Sequence, residues 1–214
     1  MAKIEPFEKY SKEYADWFIK NKDIYLAELN AIKSLIPSDK FGVEIGVGSG
    51  RFAQPLGIKV GIDPSKKMAE MSRKKGIPVY EAVAEQLPFN DKKFDFILMI
   101  TTICFVDDLV KSFKESNRVL KDDGFIVVGF VDKESMLGER YHLKREKSKF
   151  YKDVTFYSAK YIISLLRESN FSDFIIKQTV FAGQTNKIDL LEDDYGEGSF
   201  VIIKAIKTNS LQGS

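Results

Sequence analysis

The chain of 214 residues contains one cysteine, Cys104, and one histidine, His142. A single cysteine cannot form an internal disulfide, and one cysteine with one histidine falls short of the four ligands of a structural zinc site. The chain also lacks an excess of charge of one sign, because 31 acidic residues nearly balance 33 basic ones. We therefore expect neither disulfides nor a metal centre, and the overall charge does not favour nucleic acid as a ligand.

Long apolar runs are missing as well. No stretch approaches about 18 uncharged apolar residues, the length of a membrane span, and the N-terminus carries charges throughout instead of a signal-peptide core. We expect a cytoplasmic protein without a membrane partner. The composition, 44% hydrophobic and 30% charged, is typical of a globular domain that can bury its own core.

Hydrophobic periodicity divides the chain into three parts. Residues 7–35 carry apolar side chains at spacings of three, four and seven, which predicts one helix, or two with a break near Asn21. Between residues 41 and 130, short apolar runs mostly alternate with helical patterns, which predicts a parallel sheet covered on both faces. The last two apolar runs flank a turn-rich segment and predict an antiparallel pair at one end of that sheet.

These patterns predict one α/β domain with additions. We expect a helical cap over residues 1–40 and the main domain over residues 41–206, interrupted at about 132–156 by a polar, basic insertion. Residues 207–214 are expected to form a frayed tail.

The stretch "VEIGVGSG", residues 43–50, places Gly46, Gly48 and Gly50 directly after the first predicted strand. Glycine allows positive φ and close approach of a ligand, and a helix expected next would offer free N–H groups. The spacing also satisfies the dinucleotide pattern G-x-G-x-x-A when it is read from Gly48, so the glycines leave two nucleotide-like ligands open. Glu44 disfavours a pyrophosphate and favours a ligand with ammonium and sulfonium groups.

Four stretches in order resemble the motifs of class I S-adenosylmethionine-dependent methyltransferases of the methyltransferase-11 type. They are "VEIGVGSGRFA", "VGIDPSKKMAEMSRKKG", "VAEQLPFNDKKFDFILMITTICFVDD" and "SNRVLKDDGFIVV". The resemblance implies a Rossmann-like α/β fold with helices on both faces of a seven-stranded sheet of order 3-2-1-4-5-7-6, in which only strand 7 is antiparallel. It also implies S-adenosyl-L-methionine as the cofactor.

The resemblance also assigns roles to residues. Glu44 and the three glycines would surround the amino-acid end of the cofactor, and Asp63 would accept from both ribose hydroxyls. Pro64 and Met68 would flank the adenine ring. Thr101 and Thr102, at the end of the fourth strand, would contact the methionine part.

The chain departs from the family pattern at residue 83. Relatives commonly carry an Asp there that accepts from the adenine amino group, whereas this chain has Val83. Backbone N–H groups near Ala84 and Glu85 remain as recognition elements, with Glu85 as a replacement acceptor.

The resemblance places the acceptor site between the N-terminal helices and the insertion. Substrate candidates are Tyr10, Tyr14, Trp17, Phe105 and Tyr141. For the first three, packing of an amphipathic helix is the competing interpretation.

The remaining candidates for chemistry are weak. No strong general base is visible, and His142 is the default candidate because its ordinary pKa lies near neutrality. The basic insertion could bind an acidic metabolite or a nucleic-acid backbone, or it could be a solvated surface loop with no ligand. Cys104 lies in an apolar stretch, where a cysteine is usually inert.

We therefore predict a methyltransferase that acts on a small-molecule acceptor at nitrogen, oxygen or carbon. Three alternatives stay open: a non-catalytic protein that binds S-adenosylmethionine, an NAD-dependent oxidoreductase and an RNA methyltransferase. The sequence specifies neither the acceptor nor the oligomeric state.

Overall fold

An eight-stranded sheet forms the centre of the computed structural model, which describes residues 3–184 and 186–208. Its strand order is β3-β2-β1-β4-β5-β8-β6-β7. Strands β1 to β5 are mutually parallel, and β8 runs antiparallel to both β5 and β6. The strands are Gly42–Ile45 (β1), Gly61–Ile62 (β2), Val79–Tyr80 (β3), Phe94–Ile100 (β4), Leu120–Val131 (β5), Phe171–Thr179 (β6), Glu192–Asp193 (β7) and Phe200–Lys207 (β8).

The predicted architecture is confirmed, with one additional strand. The expected order of seven strands is present when β8 takes the seventh place, between β5 and β6. The extra strand, β7, has two residues and pairs with the free edge of β6 at Lys177 and Gln178. It lies in the turn-rich segment before β8, where no apolar alternation marks a strand.

Seven α-helices and two short 3-10 helices are present within the described residues. Three of the α-helices precede β1, and two lie between β5 and β6. The α-helices are Glu5–Lys9 (α1), Ser11–Lys20 (α2), Lys22–Lys33 (α3), Lys66–Arg73 (α4), Leu109–Val119 (α5), Met136–Lys144 (α6) and Ala159–Glu168 (α7).

The N-terminal segment forms three helices, with breaks at Tyr10 and at the expected position, Asn21. The break at Tyr10 lets α1 lie against α4. There the Glu8 carboxylate accepts from the Ser65 hydroxyl at 2.7 Å and from the Lys67 N–H at 3.3 Å. The cap is therefore tied to the loop that follows β2.

The helix expected directly after the glycines is absent. Residues 51–57 form successive turns instead. Two backbone bonds of helical type occur, Gln54 to Gly50 and Leu56 to Phe52. Pro55 has no N–H to donate and Gly57 takes φ of +71°, so the turns do not continue as a helix. The expectation of a regular helix N-terminus at this ligand site was therefore wrong.

The core lies on both faces of the central strands. Five successive residues of β4, Phe96 to Ile100, are buried, as expected for a strand covered on two sides. Within the described residues no helix has the length and apolar character that a membrane span requires. The cytoplasmic location stays a prediction. Lys207 ends β8, and the rest of the expected tail beyond Thr208 lies outside the described residues.

Phe113→Ala should lower the free energy of unfolding by about 3–5 kcal/mol, because Phe113 on α5 has no exposed surface and its removal leaves a cavity. Urea unfolding followed by circular dichroism measures the change. Ile175→Ala, at a position that is 45% exposed, is the control and should cost much less. Equal losses for the two variants would contradict this account of the core.

Candidate functional site

A cavity of about 600 Å³ opens at the carboxyl ends of β1, β2 and β4. This is the edge at which parallel α/β sheets bind ligands. Loops after the strands form one wall, called here the sheet side: Gly46, Gly48, Asp63, Pro64, Met68, Ala82 to Glu85, Thr101 and Thr102. Helices and the segment after β5 form the opposite wall, called here the helix side: Tyr14, Trp17, Ile24, Glu28, Leu137, Arg140, Tyr141, Phe150 and Tyr151.

Different neighbours explain why each of the three positions is a glycine. All three have positive φ, between +52° and +72°. A Cβ on Gly46 would lie 2.3 Å from Thr102 Oγ1, and one on Gly50 would lie 2.8 Å from Ile77 and Ser72. A Cβ on Gly48 would meet nothing closer than 3.6 Å, where Tyr14 lies. Gly48 therefore leaves room for a ligand, whereas the other two leave room for the protein.

Asp63 is held in one orientation at the end of β2. Its Oδ2 accepts from the Gly48 N–H at 2.8 Å, and its Oδ1 accepts from the Ser65 N–H at 2.9 Å. Burial outweighs these two hydrogen bonds and raises the pKa of Asp63 to about 6. Each oxygen keeps a further lone pair for a ligand hydroxyl.

Glu44 lies in β1 and does not line the cavity. Its Oε2 is buried without a hydrogen-bond partner. Burial raises its pKa well above the ordinary value, against a lowering by the Ala53 N–H. A positive charge in the cavity would stabilise the ionised form of this carboxyl group behind the glycine turn. Glu44 therefore fits a cationic ligand.

The segment after β3 lines the cavity with Val83, Ala84 and Glu85. Glu85 Oε1 accepts from the N–H groups of Asp107 and Asp108, at 2.9 and 3.1 Å. These bonds orient the loop after β4. Glu85 Oε1 therefore holds that loop, and Oε2 is the oxygen of Glu85 that could replace the missing Asp.

Thr101 and Thr102 form the end of β4. Thr101 has φ of +50°, which is costly for a β-branched residue, and its N–H donates to Gly129 O at 2.7 Å. Thr102 donates from Oγ1 to Ile45 O at 3.2 Å or Ile100 O at 3.0 Å. The strained turn points both residues toward the cavity beside Gly46.

Tyr14 connects the two walls. Its ring lies next to Gly48 on the sheet side, while Tyr14 itself belongs to the helix side of the cavity. Burial raises its pKa, and the charges of Asp63, Glu44 and Glu28 raise it further. The phenol therefore stays neutral and cannot serve as a general base near neutral pH.

The insertion lines the cavity opposite the sheet side and packs against the N-terminal helices. Phe150 packs against Phe7 and Tyr14, with ring centroids 5.8 and 6.0 Å apart. Lys149 pairs with Glu13 on α2 at 2.8 Å. Exposed ion pairs contribute little to stability, so we attribute the packing of the insertion against the helices mainly to the aromatic contacts.

The acceptor candidates separate into two groups. Tyr14, Trp17, Phe105 and Tyr141 line the cavity. Tyr10 does not; it lies outside, with Lys149 Nζ 4.7 Å from its ring centroid. Of the cofactor candidates, all but Glu44 and Gly50 line the cavity.

His142 and Cys104 lie away from the cavity lining. His142 is exposed on α6. Burial raises the pKa of the Cys104 thiol to about 12, and the thiol contacts Thr101 O at 3.6 Å. A thiol that stays protonated is a poor nucleophile. The described residues contain no cluster of three or more potential metal ligands.

Glu28 is the residue that the sequence analysis missed. It lies on α3, is 5% exposed, and lines the helix side of the cavity. Desolvation raises its pKa to about 8. Its signal was an acid inside the apolar stripe between Tyr25 and Ile32, but one acid does not disturb a helical periodicity.

The comparisons with known proteins agree with this geometry. The family described as "Methyltransferase domain", of the methyltransferase-11 type, matches residues 43–128. An uncharacterised protein of Methanocaldococcus jannaschii is 47% identical over 94% of this chain and 98% of its own length. A ubiquinone biosynthesis O-methyltransferase of Pelagibacter ubique is 31% identical over 48% of this chain and 49% of its own length.

The fold also matches solved structures. The crystal structure of an S-adenosylmethionine-dependent methyltransferase of Thermotoga maritima, described as a possible histamine N-methyltransferase, superposes with a TM-score of 0.92. The two sequences are 46% identical, and the match covers 96% of this chain and 100% of that one.

Glu28→Gln should stabilise the ligand-free protein at pH 8 and above. The raised pKa means that folding penalises the ionised form; the penalty is absent below the unfolded value of about 4.5, grows as pH rises and is complete above about 8. The expected gain is on the order of a few kcal/mol. Thermal unfolding of both proteins at pH 5 and pH 8.5 measures it, and a larger gain at pH 5 would contradict the assignment.

Proposed function

The chain belongs to the S-adenosylmethionine-dependent methyltransferases, and we propose that it transfers a methyl group from S-adenosyl-L-methionine to a small-molecule acceptor inside the cavity. The carrying observation is the arrangement of Asp63 and Gly48. An oriented carboxylate and an open backbone meet there at the end of β2, in a cavity that the helix side closes.

The cofactor would be held along the sheet side. Asp63 accepts from the ribose hydroxyls, because its two oxygens match two adjacent O–H donors. Val83 and Met68 supply apolar contact to adenine, and the backbone near Ala84 supplies polar contact. Gly48 and Thr101 border the amino-acid end, and Glu44 stabilises positive charge there from behind the turn.

The bound cofactor supplies an activated methyl group on a sulfonium. The chain's own contribution is placement: Tyr14 lies beside Gly48 where the two walls meet, so it orients the acceptor there. Phe7 and Phe150 also line the cavity, and their rings pack against each other with centroids 5.8 Å apart.

Acceptors on nitrogen, oxygen or carbon all remain within this proposal. No side chain lining the cavity is a histidine, and Tyr14 stays protonated. An acceptor that is already a nucleophile at neutral pH, or one that loses its proton to water or to an acidic side chain, suits the site best.

The alternatives make different demands on the site. An RNA methyltransferase needs an open surface, whereas the N-terminal helices and the insertion cover this cavity. An NAD-dependent oxidoreductase needs a pyrophosphate beside the glycine turn, where Glu44 disfavours negative charge. The antiparallel strand β8 also argues against it. Asp63 does not discriminate, because a dehydrogenase also places an acid there for the ribose. A non-catalytic binding protein remains the alternative from another class.

Isothermal calorimetry separates these classes. S-adenosylhomocysteine should bind the purified protein, and NAD should not. Binding of NAD alone would contradict the proposed function. Binding of S-adenosylhomocysteine without methyl transfer to any member of an amine, phenol and carboxylate panel would favour the non-catalytic alternative.

Asp63→Ala should weaken S-adenosylhomocysteine binding by roughly 10-fold or more, because hydrogen bonds to a charged group contribute about 1.5–3 kcal/mol. Calorimetry at pH 7.5 measures the loss. Asp39→Ala, an exposed position outside the cavity, is the control. Unchanged affinity in a folded Asp63→Ala protein would show that the ribose contact is misassigned.

Val83→Asp should tighten S-adenosylhomocysteine binding by about 2- to 10-fold, since it adds an acceptor for the adenine amino group worth about 0.5–1.5 kcal/mol. The same calorimetric titration measures the gain. Val83→Asn keeps an acceptor without the charge and separates hydrogen bonding from electrostatics. Weaker binding by both variants would place adenine elsewhere.

A further inference from the structure

Glu28 has no partner for its charge. It is 5% exposed, and no hydrogen bond or ion pair to its carboxylate occurs within the described ranges 3–184 and 186–208. A buried carboxylate without such partners is costly, so natural proteins rarely keep one without a use. Its lining position gives it access to the cavity.

Four phenols lie close enough to Glu28 for its charge to raise their pKa values. Its charge acts on Tyr14 of α2, on Tyr25 of its own helix, and on Tyr141 and Tyr151 of the covering segment. None of these phenols can neutralise a carboxylate. Arg140 also lines the cavity, but it is exposed and lies outside salt-bridge distance of Glu28. The positive charges Lys3 and Lys20 and the acids Glu13 and Asp16 are further lining residues.

Aromatic side chains on the helix side of the cavity make a surface that suits a cation. Trp17, Tyr14, Tyr141 and Tyr151 present aromatic rings to the helix side of the cavity, and Tyr141 stacks on Tyr151 with centroids 5.3 Å apart. Aromatic faces attract ammonium groups, and the attraction grows when water is excluded. A carboxylate inside such a wall selects positive charge and rejects negative charge.

We propose that Glu28 binds the ammonium group of the methyl acceptor, which is therefore a small organic amine with an apolar or aromatic body. This assignment rests on the proposed function, because it places the amine opposite the cofactor in one cavity. Glu28 is then a binding residue: the carboxylate accepts from the ammonium, and the aromatic wall contacts the rest of the molecule.

Binding of an amine also has a protonic consequence. Because burial raises the pKa of Glu28 to about 8, most of the empty protein carries it protonated at pH 7. A bound ammonium favours the carboxylate, so the site should release a proton when the amine enters as a cation. A neutral ligand of the same shape should release none.

The test uses the full chain saturated with S-adenosylhomocysteine. Calorimetry at pH 7 compares 2-phenylethylamine with 2-phenylethanol and phenylacetate, and 3-methylbutylamine with 3-methylbutanol. We expect at least one amine to bind roughly 10-fold more tightly than its alcohol. We expect phenylacetate to bind weakest. The buffer takes up any released proton, so the observed enthalpy of amine binding should differ between phosphate and Tris, which have different enthalpies of protonation.

Glu28→Gln keeps the size of the side chain and removes its charge. It should weaken the amine about 10-fold, leave the alcohol unchanged and abolish the proton release. Asp23→Asn is the matched control, because it removes the same charge from an exposed position on the same helix, outside the cavity. The affinity of Glu28→Gln for S-adenosylhomocysteine should stay unchanged, and this measurement checks that the variant is folded.

The outcomes separate the two proposals. If S-adenosylhomocysteine does not bind the wild-type protein, the proposed function fails. If it binds, the amine assignment is overturned by any of three results: no binding of either amine at millimolar concentration, equal binding of amine and alcohol, or an amine preference that survives Glu28→Gln.

Discussion

Three carboxyl groups kept away from water around one cavity are the constraint on which this site depends. Asp63, Glu28 and Glu44 are each at most 7% exposed, and burial raises the pKa of each. Such an arrangement lowers stability, since ionised groups lose their hydration. Proteins tend to keep it where a ligand supplies the missing partner, which is why perturbed carboxyl groups mark functional sites.

Each carboxyl group has a different support. Asp63 is oriented by the N–H groups of Gly48 and Ser65, so it is ready to accept from a ligand. Glu44 has one oxygen without a partner and lies behind the wall. Glu28 has no hydrogen-bond or ion-pair partner in the described part of the chain, and its charge acts on nearby phenols. Under the proposed function, Asp63 would bind hydroxyl groups, Glu44 would favour positive charge beside the glycine turn, and Glu28 would form a second polar site on the helix side.

Closure of the cavity depends on parts of the chain that are distant in sequence. Glu8 ties α1 to the loop after β2, while Phe150 and Lys149 tie the insertion to α1 and α2. The aromatic residues of the N-terminal helix can therefore belong to both the packing and the site. Tyr14 and Trp17 line the cavity, and Tyr10, only four residues before Tyr14, lies outside it, because the chain breaks its helix at Tyr10.

The periodicity of the sequence determined a parallel sheet with an antiparallel pair at one end, and the glycines indicated the edge at which a ligand would bind. The strand order and the role of Asp63 came from the resemblance of four motifs to a known family. That resemblance also determined that Val83 replaces an expected acid. Only the tertiary structure decided that Gly48 alone leaves room for a ligand, that Glu85 is engaged by the next loop, and that Glu28 faces the cavity. Those facts depend on contacts between segments far apart in the chain, and a helical pattern reports which face is buried without reporting what lies against it.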